Sequence, residues 1–173
     1  AEAVQADLRA SVRRMLRADV PIAVALSAGI DSSCVAALAV EQGGADLVAI
    51  TVGYPGRPAH DEREEAVAFA RGLDLPIEEV ELDASTMVEN FPNFVSVLDE
   101  LVADIAGWSH GAVPRAAADL GRKVLLTGNG GDEMFWGYSR LASIVQALEA
   151  RCDGDAGQGE AYRSLQRNFR RVK

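Results

Sequence analysis

Cysteine is scarce in this chain of 173 residues: Cys34 and Cys152 stand far apart, and neither has a histidine paired with it in sequence. That argues against a disulfide framework or a zinc site and leaves reduced thiols as the simplest reading. Long hydrophobic runs are missing as well. No stretch approaches the roughly 20 apolar residues of a bilayer-spanning helix, and the opening AEAVQADLRASVRRM interleaves polar residues where a signal peptide would carry an apolar core. A soluble, cytoplasmic protein with no membrane partner is expected. Positive charge is in short supply: 17 Lys and Arg against 26 Asp and Glu leave a net charge of −9. Nucleic-acid affinity is built largely from cations that neutralise phosphates, so no nucleic-acid partner is expected. The one basic stretch, RSLQRNFRRVK at Arg163–Lys173, reads as a solvated helical tail.

What is present is ordinary for a soluble domain, with 49% hydrophobic and 25% charged residues. The length suits one core, so residues 1–173 are read as a single domain. Val4, Leu8, Val12, Met15 and Leu16 recur at helical spacing, and Pro21 closes that segment. IAVAL (Ile22 to Leu26) and LVAITVG (Leu47 to Gly53) are continuous apolar runs of the kind buried on both faces of a parallel sheet. IEEVEL (Ile77 to Leu82) alternates like a more exposed strand, and KVLLT (Lys123 to Thr127) reads as a fourth.

Between the strands the spacing predicts helices over Ser33 to Gln42, stopped by Gly43, and around Ala66, Phe69, Ala70 and Leu73. A further helix carries Phe94, Leu98, Leu101, Val102 and Ile105, with a break near Pro92. Gly107 to Gly111 reads as a loop and Pro114 to Leu120 as a helix. Helices over Ser139 to Arg151 and Glu160 to Val172, joined through DGDAGQG, end the chain. Strand and helix alternating in this way predict an α/β fold, an open, mainly parallel sheet flanked by helices. In such sheets ligands gather at the carboxyl ends of the strands, where the strand order reverses.

Two glycine-containing loops fall at such ends: LSAGIDSS (Leu26 to Ser33) and TGNGGDEMFWGY (Thr127 to Tyr138). In the first, small residues let the backbone wrap a ligand, and the loop runs into a helix whose free N–H groups and dipole suit a phosphate. Ser27, Ser32 and Ser33 add hydroxyl donors. Asp31 would repel phosphate unless a hard, oxygen-seeking cation such as Mg²⁺ stood between them. In the second loop Gly128, Gly130 and Gly131 permit close approach, and Asp132 supplies another carboxylate. If the first and fourth strands are neighbours, Asp31 and Asp132 can share one ion. Glu133 reads as a helix cap, and His60, Asp61 and Glu62 as a helix entry in a solvated loop.

On these residues the chain resembles the N-type ATP pyrophosphatases, whose pyrophosphate loop is similar to LSAGIDSS. TGNGGDEMFWGY resembles the second nucleotide loop of the asparagine synthetases and their relatives, the β-lactam synthetases and lasso-peptide cyclases. The likeness runs from Val20 to Tyr138 and includes TVGYPGRPAHDEREEAVAFARGL. It implies the PP-loop fold, with ATP lying over the first, second and fourth strands. Leu26 and Val52 would contact adenine or present backbone groups to it, Gly128 would lie beside the nucleoside, and Ser27, Gly29, Ser32 and Ser33 would hold pyrophosphate. Ala28, Gly53, Thr127, Asn129 and Gly130 complete the implied nucleotide-binding set, with Asp31 and Asp132 on magnesium. The implied activity is ATP-dependent adenylation of a small-molecule carboxylate, with pyrophosphate release, followed by attack of ammonia or a substrate amine to form an amide.

Three departures qualify that implication. Ala28 stands where the family usually has glycine, which matters if its φ is positive. Asn129 stands where asparagine synthetases have glutamate or aspartate and β-lactam synthetases tyrosine. Lacking useful basicity, it is left to orient a substrate or shape the turn. Asp31, Asp132 and Asn129 are the catalytic candidates. The sequence also shows neither an amidotransferase domain with a terminal cysteine nucleophile nor, after Tyr138, the half that supplies a catalytic lysine in relatives. The resemblance thus implies a synthetase domain incomplete on its C-terminal side, with a glutaminase domain or subunit as a candidate partner and a homodimer left open. Two other readings stay open: a nucleotide-binding remnant or subunit without turnover, and another PP-loop enzyme such as a tRNA-modifying ATP pyrophosphatase.

Overall fold

The computed structural model describes residues 2–43, 46–98, 106–135, 137–138 and 144–145. It comprises two units, residues 1–128 and 129–173, taken in turn. The first holds helix α1 (Glu2–Met15), strand β1 (Ile22–Ala25), α2 (Ile30–Gln42), β2 (Leu47–Gly53), α3 (Arg63–Gly72), β3 (Ile77–Glu81), α4 (Ala84–Leu98), α5 (Ala106–Asp119) and β4 (Val124–Leu126). All strand pairs are parallel and the order is β3-β2-β1-β4, so β1 and β4 are neighbours. The strand order reverses at β1, between β2 and β4, which is where a doubly wound sheet opens a crevice.

Period-two alternation sends β1 and β2 residues into two cores. On one face Ile22, Val24 and Ala49 pack with Val12 of α1, Val35, Ala36 and Ala39 of α2, and Ala66 and Ala70 of α3. On the other face Ala23 and Ile50 pack with Ala117 of α5, flanked by Val48, Val80 and Val113. Small residues on α2 and α3 let those helices lie close to the sheet. The α1–α2 pair is further held by a two-pronged contact from the Arg9 guanidinium to the Glu41 carboxylate, at 3.1 and 2.9 Å, and by Gln42 Nε2 donating to the Arg9 carbonyl. Of the expected apolar stripe on α1, Val12 is buried, whereas Val4, Leu8 and Met15 are exposed.

Several expected boundaries move. Helix α2 begins at Ile30 rather than Ser33, which draws Asp31, Ser32 and Ser33 into its first turn. Residues 107–111, expected as a loop, belong to α5. The glycine there serves packing: a Cβ on Gly107 would stand 3.0 Å from Phe94 Cζ, and Phe94 meets Trp108 edge-on at 5.8 Å. Helix α4 passes through Pro92 without ending. Pro92 and Val88 are both exposed, so the carbonyl that loses its amide partner can reach water. Leu101, Val102 and Ile105 lie outside the described residues, as do the basic tail and the expected terminal helices, apart from residues 144 and 145, which are helical.

The second unit contributes α6 (Gly131–Phe135). Among the described residues no helix is long and apolar enough to cross a membrane.

Candidate functional site

The carboxyl ends of β1, β2 and β4 converge on the start of α2. Leu26 continues β1 by one bond, its N–H donating to the Ile50 carbonyl at 2.9 Å, and its side chain is buried in the core. What Leu26 can offer a ligand is therefore backbone. The chain then turns sharply through Ala28, whose φ is 61°, into Gly29 at φ −64°, ψ 155°. Gly29 caps α2 with no side-chain hydrogen bond, and the first helical bond runs from the Ser33 N–H to the Gly29 carbonyl at 3.0 Å. The amides of Ile30, Asp31 and Ser32 thus form an uncapped first turn, the donor array an anion uses.

Ser32 holds the loop in shape. Its hydroxyl donates to the Gly29 carbonyl at 3.1 Å and accepts from the Ser27 N–H at 3.2 Å. With its proton used in this way, the 3.1 Å contact between the two hydroxyls is donated by Ser27. Ser27 Oγ in turn accepts a long bond, 3.4 Å, from the Gly29 N–H. Ser32 is buried, whereas Ser33 and Asp31 are half-buried on the helix turn.

Gly128, two residues past β4, comes directly against this turn. A Cβ there would lie 2.7 Å from the Ser32 nitrogen, 2.9 Å from the Asp31 carbonyl carbon and 3.1 Å from Asp31 Cβ. Only glycine lets the two backbones approach so closely. Thr127 is exposed beside it, and Lys123 is exposed at the opposite end of β4.

On β2, the Ile50 carbonyl bonds toward β1 and the Gly53 carbonyl toward β3, where it accepts the Leu82 N–H at 2.8 Å. The alternation of a parallel ladder turns the Val52 peptide groups toward β1, beyond the last paired residue of β1, Ala25. The Val52 backbone therefore faces the crevice with edge groups suited to a planar polar ligand.

The space above Gly53 is taken by protein. Arg63 and Asp61 lie across it, and a Cβ on Gly53 would overlap both side chains. Their side chains are 4% and 2% exposed. Arg63 Nη2 donates to Asp61 Oδ2 at 2.7 Å and to the Tyr54 carbonyl at 2.7 Å, and Nη1 donates to Glu81 at 3.3 Å. Asp61 Oδ2 also accepts the Tyr54 N–H at 3.0 Å. The Arg63 hydrogen bonds, opposed by burial and helped by the backbone donors, hold the Asp61 carboxyl well below the usual carboxylate range. This corrects the expectation for Asp61 alone: His60 and Glu62 are exposed at the entry to α3, as a solvated helix entry requires, whereas the Asp61 side chain is buried. A glycine ending a buried strand, followed by Asp-x-Arg at a helix start, was the available signal.

In the second unit, Asn129 is exposed in a turn and Gly130 takes φ 104°. Glu133 Oε2 accepts the Gly130 N–H at 2.9 Å, the reach-back half of a capping box, as its expected cap role requires. The Tyr138 hydroxyl donates to Glu133 Oε1 at 2.6 Å and is the main cause holding that carboxyl below its ordinary range. Asp132 sits in the first turn of α6, its carboxylate filling the place a Gly137 Cβ would need. Trp136 lies outside the described residues.

Comparison with known proteins gives the family and the fold. The family model described as asparagine synthase matches residues 3–172. A putative glutamine-hydrolyzing asparagine synthetase of Mycobacterium bovis is 38% identical over 136 residues, covering 79% of this chain and 20% of that protein. The amidase chry2 of Gibberella zeae is 33% identical over 150 residues, covering 79% of this chain and 22% of its own. The chain thus spans about a fifth of the length of these relatives. In fold it is similar to the NH3-dependent NAD synthetase of Campylobacter jejuni, at TM-score 0.54 and 14% identity over 80% of this chain and 60% of that one. With its family model matched almost end to end, the chain belongs to the asparagine synthase family.

Proposed function

We propose that this chain is the nucleotide-handling core of an ATP-dependent carbon–nitrogen ligase. The observation that carries the reading is the approach of Gly128 to the uncapped first turn of α2, which makes one cradle from two strand ends. A pyrophosphate group fits there: the amides of Ile30, Asp31 and Ser32 and the hydroxyl of Ser33 are donors at the positive end of α2, and the Ser27 hydroxyl joins them by turning its proton away from Ser32. Ala28 and Gly29 shape the loop, while the Leu26 and Val52 backbones bound the adenine side and Thr127 and Gly128 the nucleoside side; Gly53, covered by Arg63 and Asp61, is left out of the contact set.

Asp132, in the first turn of α6, and Asp31, in the first turn of α2 at the cradle, each offer hard oxygen ligands suited to Mg²⁺. Magnesium bound there would neutralise charge on the departing pyrophosphate. In the step itself, a substrate carboxylate oxygen bonds to the α-phosphorus of ATP and the bond from that phosphorus to the bridging oxygen breaks. Pyrophosphate leaves into the loop donors, which stabilise its growing charge. An amine lone pair then attacks the acyl carbon, AMP departs with the acyl C–O electron pair, and the amine proton passes to solvent. Asn129 orients the amine and does not take its proton.

The carboxylate is a small molecule and the amine is ammonia or a substrate amine. The glutamine-hydrolyzing relatives favour a glutaminase domain or subunit as the ammonia source. A cytoplasmic setting suits a consumer of ATP. Asn129 also favours a second reading, in which the chain binds nucleotide without turnover.

Titration with Mg-ATP, followed by pyrophosphate release with a panel of carboxylates and amines, separates these readings. Binding with release supports the ligase, binding without release for any pair supports the binding module, and no binding at millimolar ATP defeats both. Asp31→Asn is expected to abolish the magnesium dependence of binding, and unchanged dependence removes Asp31 from the metal.

A further inference from the structure

We propose that Asp61 and Arg63 are positioning residues for nucleobase recognition: their buried ion pair clamps the Gly53–Tyr54 backbone and thereby holds the Val52 peptide edge where adenine meets it. The inference rests on the nucleotide reading above and extends it to a pair of residues buried over Gly53.

The geometry argues for a clamp rather than simple cohesion. A buried ion pair is a poor source of net stability, because desolvating two charges offsets most of their attraction, and apolar residues of similar volume would serve as well. What it supplies is direction. Arg63 presents a planar fork whose bonds reach Asp61, the Tyr54 carbonyl and Glu81, while Asp61 accepts the Tyr54 N–H. Both polar groups of the Tyr54 backbone are therefore held by this one pair. On the preceding residue, the Gly53 carbonyl is fixed by Leu82. On the other side of Val52, the Ile50 carbonyl is fixed by Leu26. Val52 stands between these anchors with its peptide groups turned to the crevice. Gly53 is glycine because the Arg63 side chain crosses directly over it, so the clamp and the strand end are built together.

A positioning role predicts a loss confined to the base. Mg-ATP, Mg-GTP and inorganic tripolyphosphate are titrated against the wild-type chain, Arg63→Met and Glu81→Gln, with folding checked by circular dichroism. Arg63→Met is expected to weaken ATP about tenfold, the worth of one well-made hydrogen bond, and to shrink the preference for ATP over GTP, with tripolyphosphate unchanged. Glu81 is half-exposed, so Glu81→Gln leaves the Asp61 pair and the fold in place and loosens the fork from one side. A smaller loss of the same kind is expected, about two- to threefold, and it carries the test where Arg63→Met does not fold.

Equal weakening of ATP and tripolyphosphate, or an intact ATP preference in Glu81→Gln and in any folded Arg63→Met, overturns the inference while leaving the nucleotide reading intact. A wild-type chain that binds neither ATP nor tripolyphosphate defeats the nucleotide reading itself, and this inference with it.

Discussion

Gly128 lies against Ser32 so closely that a methyl group on it would stand 2.7 Å from the Ser32 amide nitrogen. The contact is backbone on backbone, so neither side can rotate away. Gly128→Ala should therefore force the end of β4 off the first turn of α2, costing about 1–3 kcal/mol as overpacking does. Urea unfolding reads that cost, and calorimetric titration should show ATP affinity falling at least about tenfold. Unaltered ATP affinity in a folded variant would mean the cradle is not the phosphate site.

Ala28 occupies the left-handed region at φ 61°, where its Cβ crowds the following carbonyl. Relief of that strain by Ala28→Gly should stabilise the fold by about 0.5–1 kcal/mol, the steric gain of roughly 1–2 being offset in part by the flexibility of unfolded glycine. Ala28→Val should act in the opposite direction. Equilibrium denaturation of the three proteins checks this, and a glycine variant less stable than wild type would contradict a strained Ala28.

Ser32 ties the Ser27 amide to the Gly29 carbonyl through one buried hydroxyl. Ser32→Ala leaves both backbone groups without that partner, at a cost of about 1–3 kcal/mol. Because this damage lies under the proposed phosphate cradle, ATP and tripolyphosphate should weaken together, which is the converse of the pattern expected at Arg63. Selective loss of ATP alone would count against the phosphate assignment.

Asp61 makes stability depend on acid. Its pKa is lowered in the folded state, chiefly by the Arg63 hydrogen bonds, so its contribution is fully present above the unfolded Asp value of about 3.9. It is lost as pH falls through that value toward the lower folded one. Urea midpoints measured from about pH 5 down to pH 2 should thus fall more steeply for wild type than for Asp61→Asn/Arg63→Gln, in which both buried charges are removed together. Parallel slopes would show that the pair contributes nothing to the acid limb.

Much of this fold was legible in residue spacing. Apolar runs at residues 22–26 and 47–53 marked strands buried on both faces, and the glycine-containing loops after the first and fourth strands marked carboxyl ends. Residue spacing leaves open whether the first and fourth strands are neighbours, and the sheet pairs β1 with β4. Other features were ambiguous for physical reasons. Glycine permits both a loop and a tight helix contact, so Gly107 gave no sign that Phe94 packs on it. Charged residues in a loop are usually solvated, and Asp61 is buried only because Arg63, two residues on, folds back over Gly53. The sign of φ at Ala28 is invisible in composition, since it depends on how the β1–α2 turn closes.

The pairing of β4 with β1 joins segments roughly a hundred residues apart in the chain. Closing so long a loop comes late in folding, because its entropy must be met before the contact rewards it. The Gly128 side of the cradle therefore arrives only when the sheet is finished. On the proposed reading, nucleotide capture would thereby report on complete assembly: a chain that has formed β1, β2 and β3 but not docked β4 carries the whole LSAGIDSS loop and still lacks the Gly128 side of the cradle.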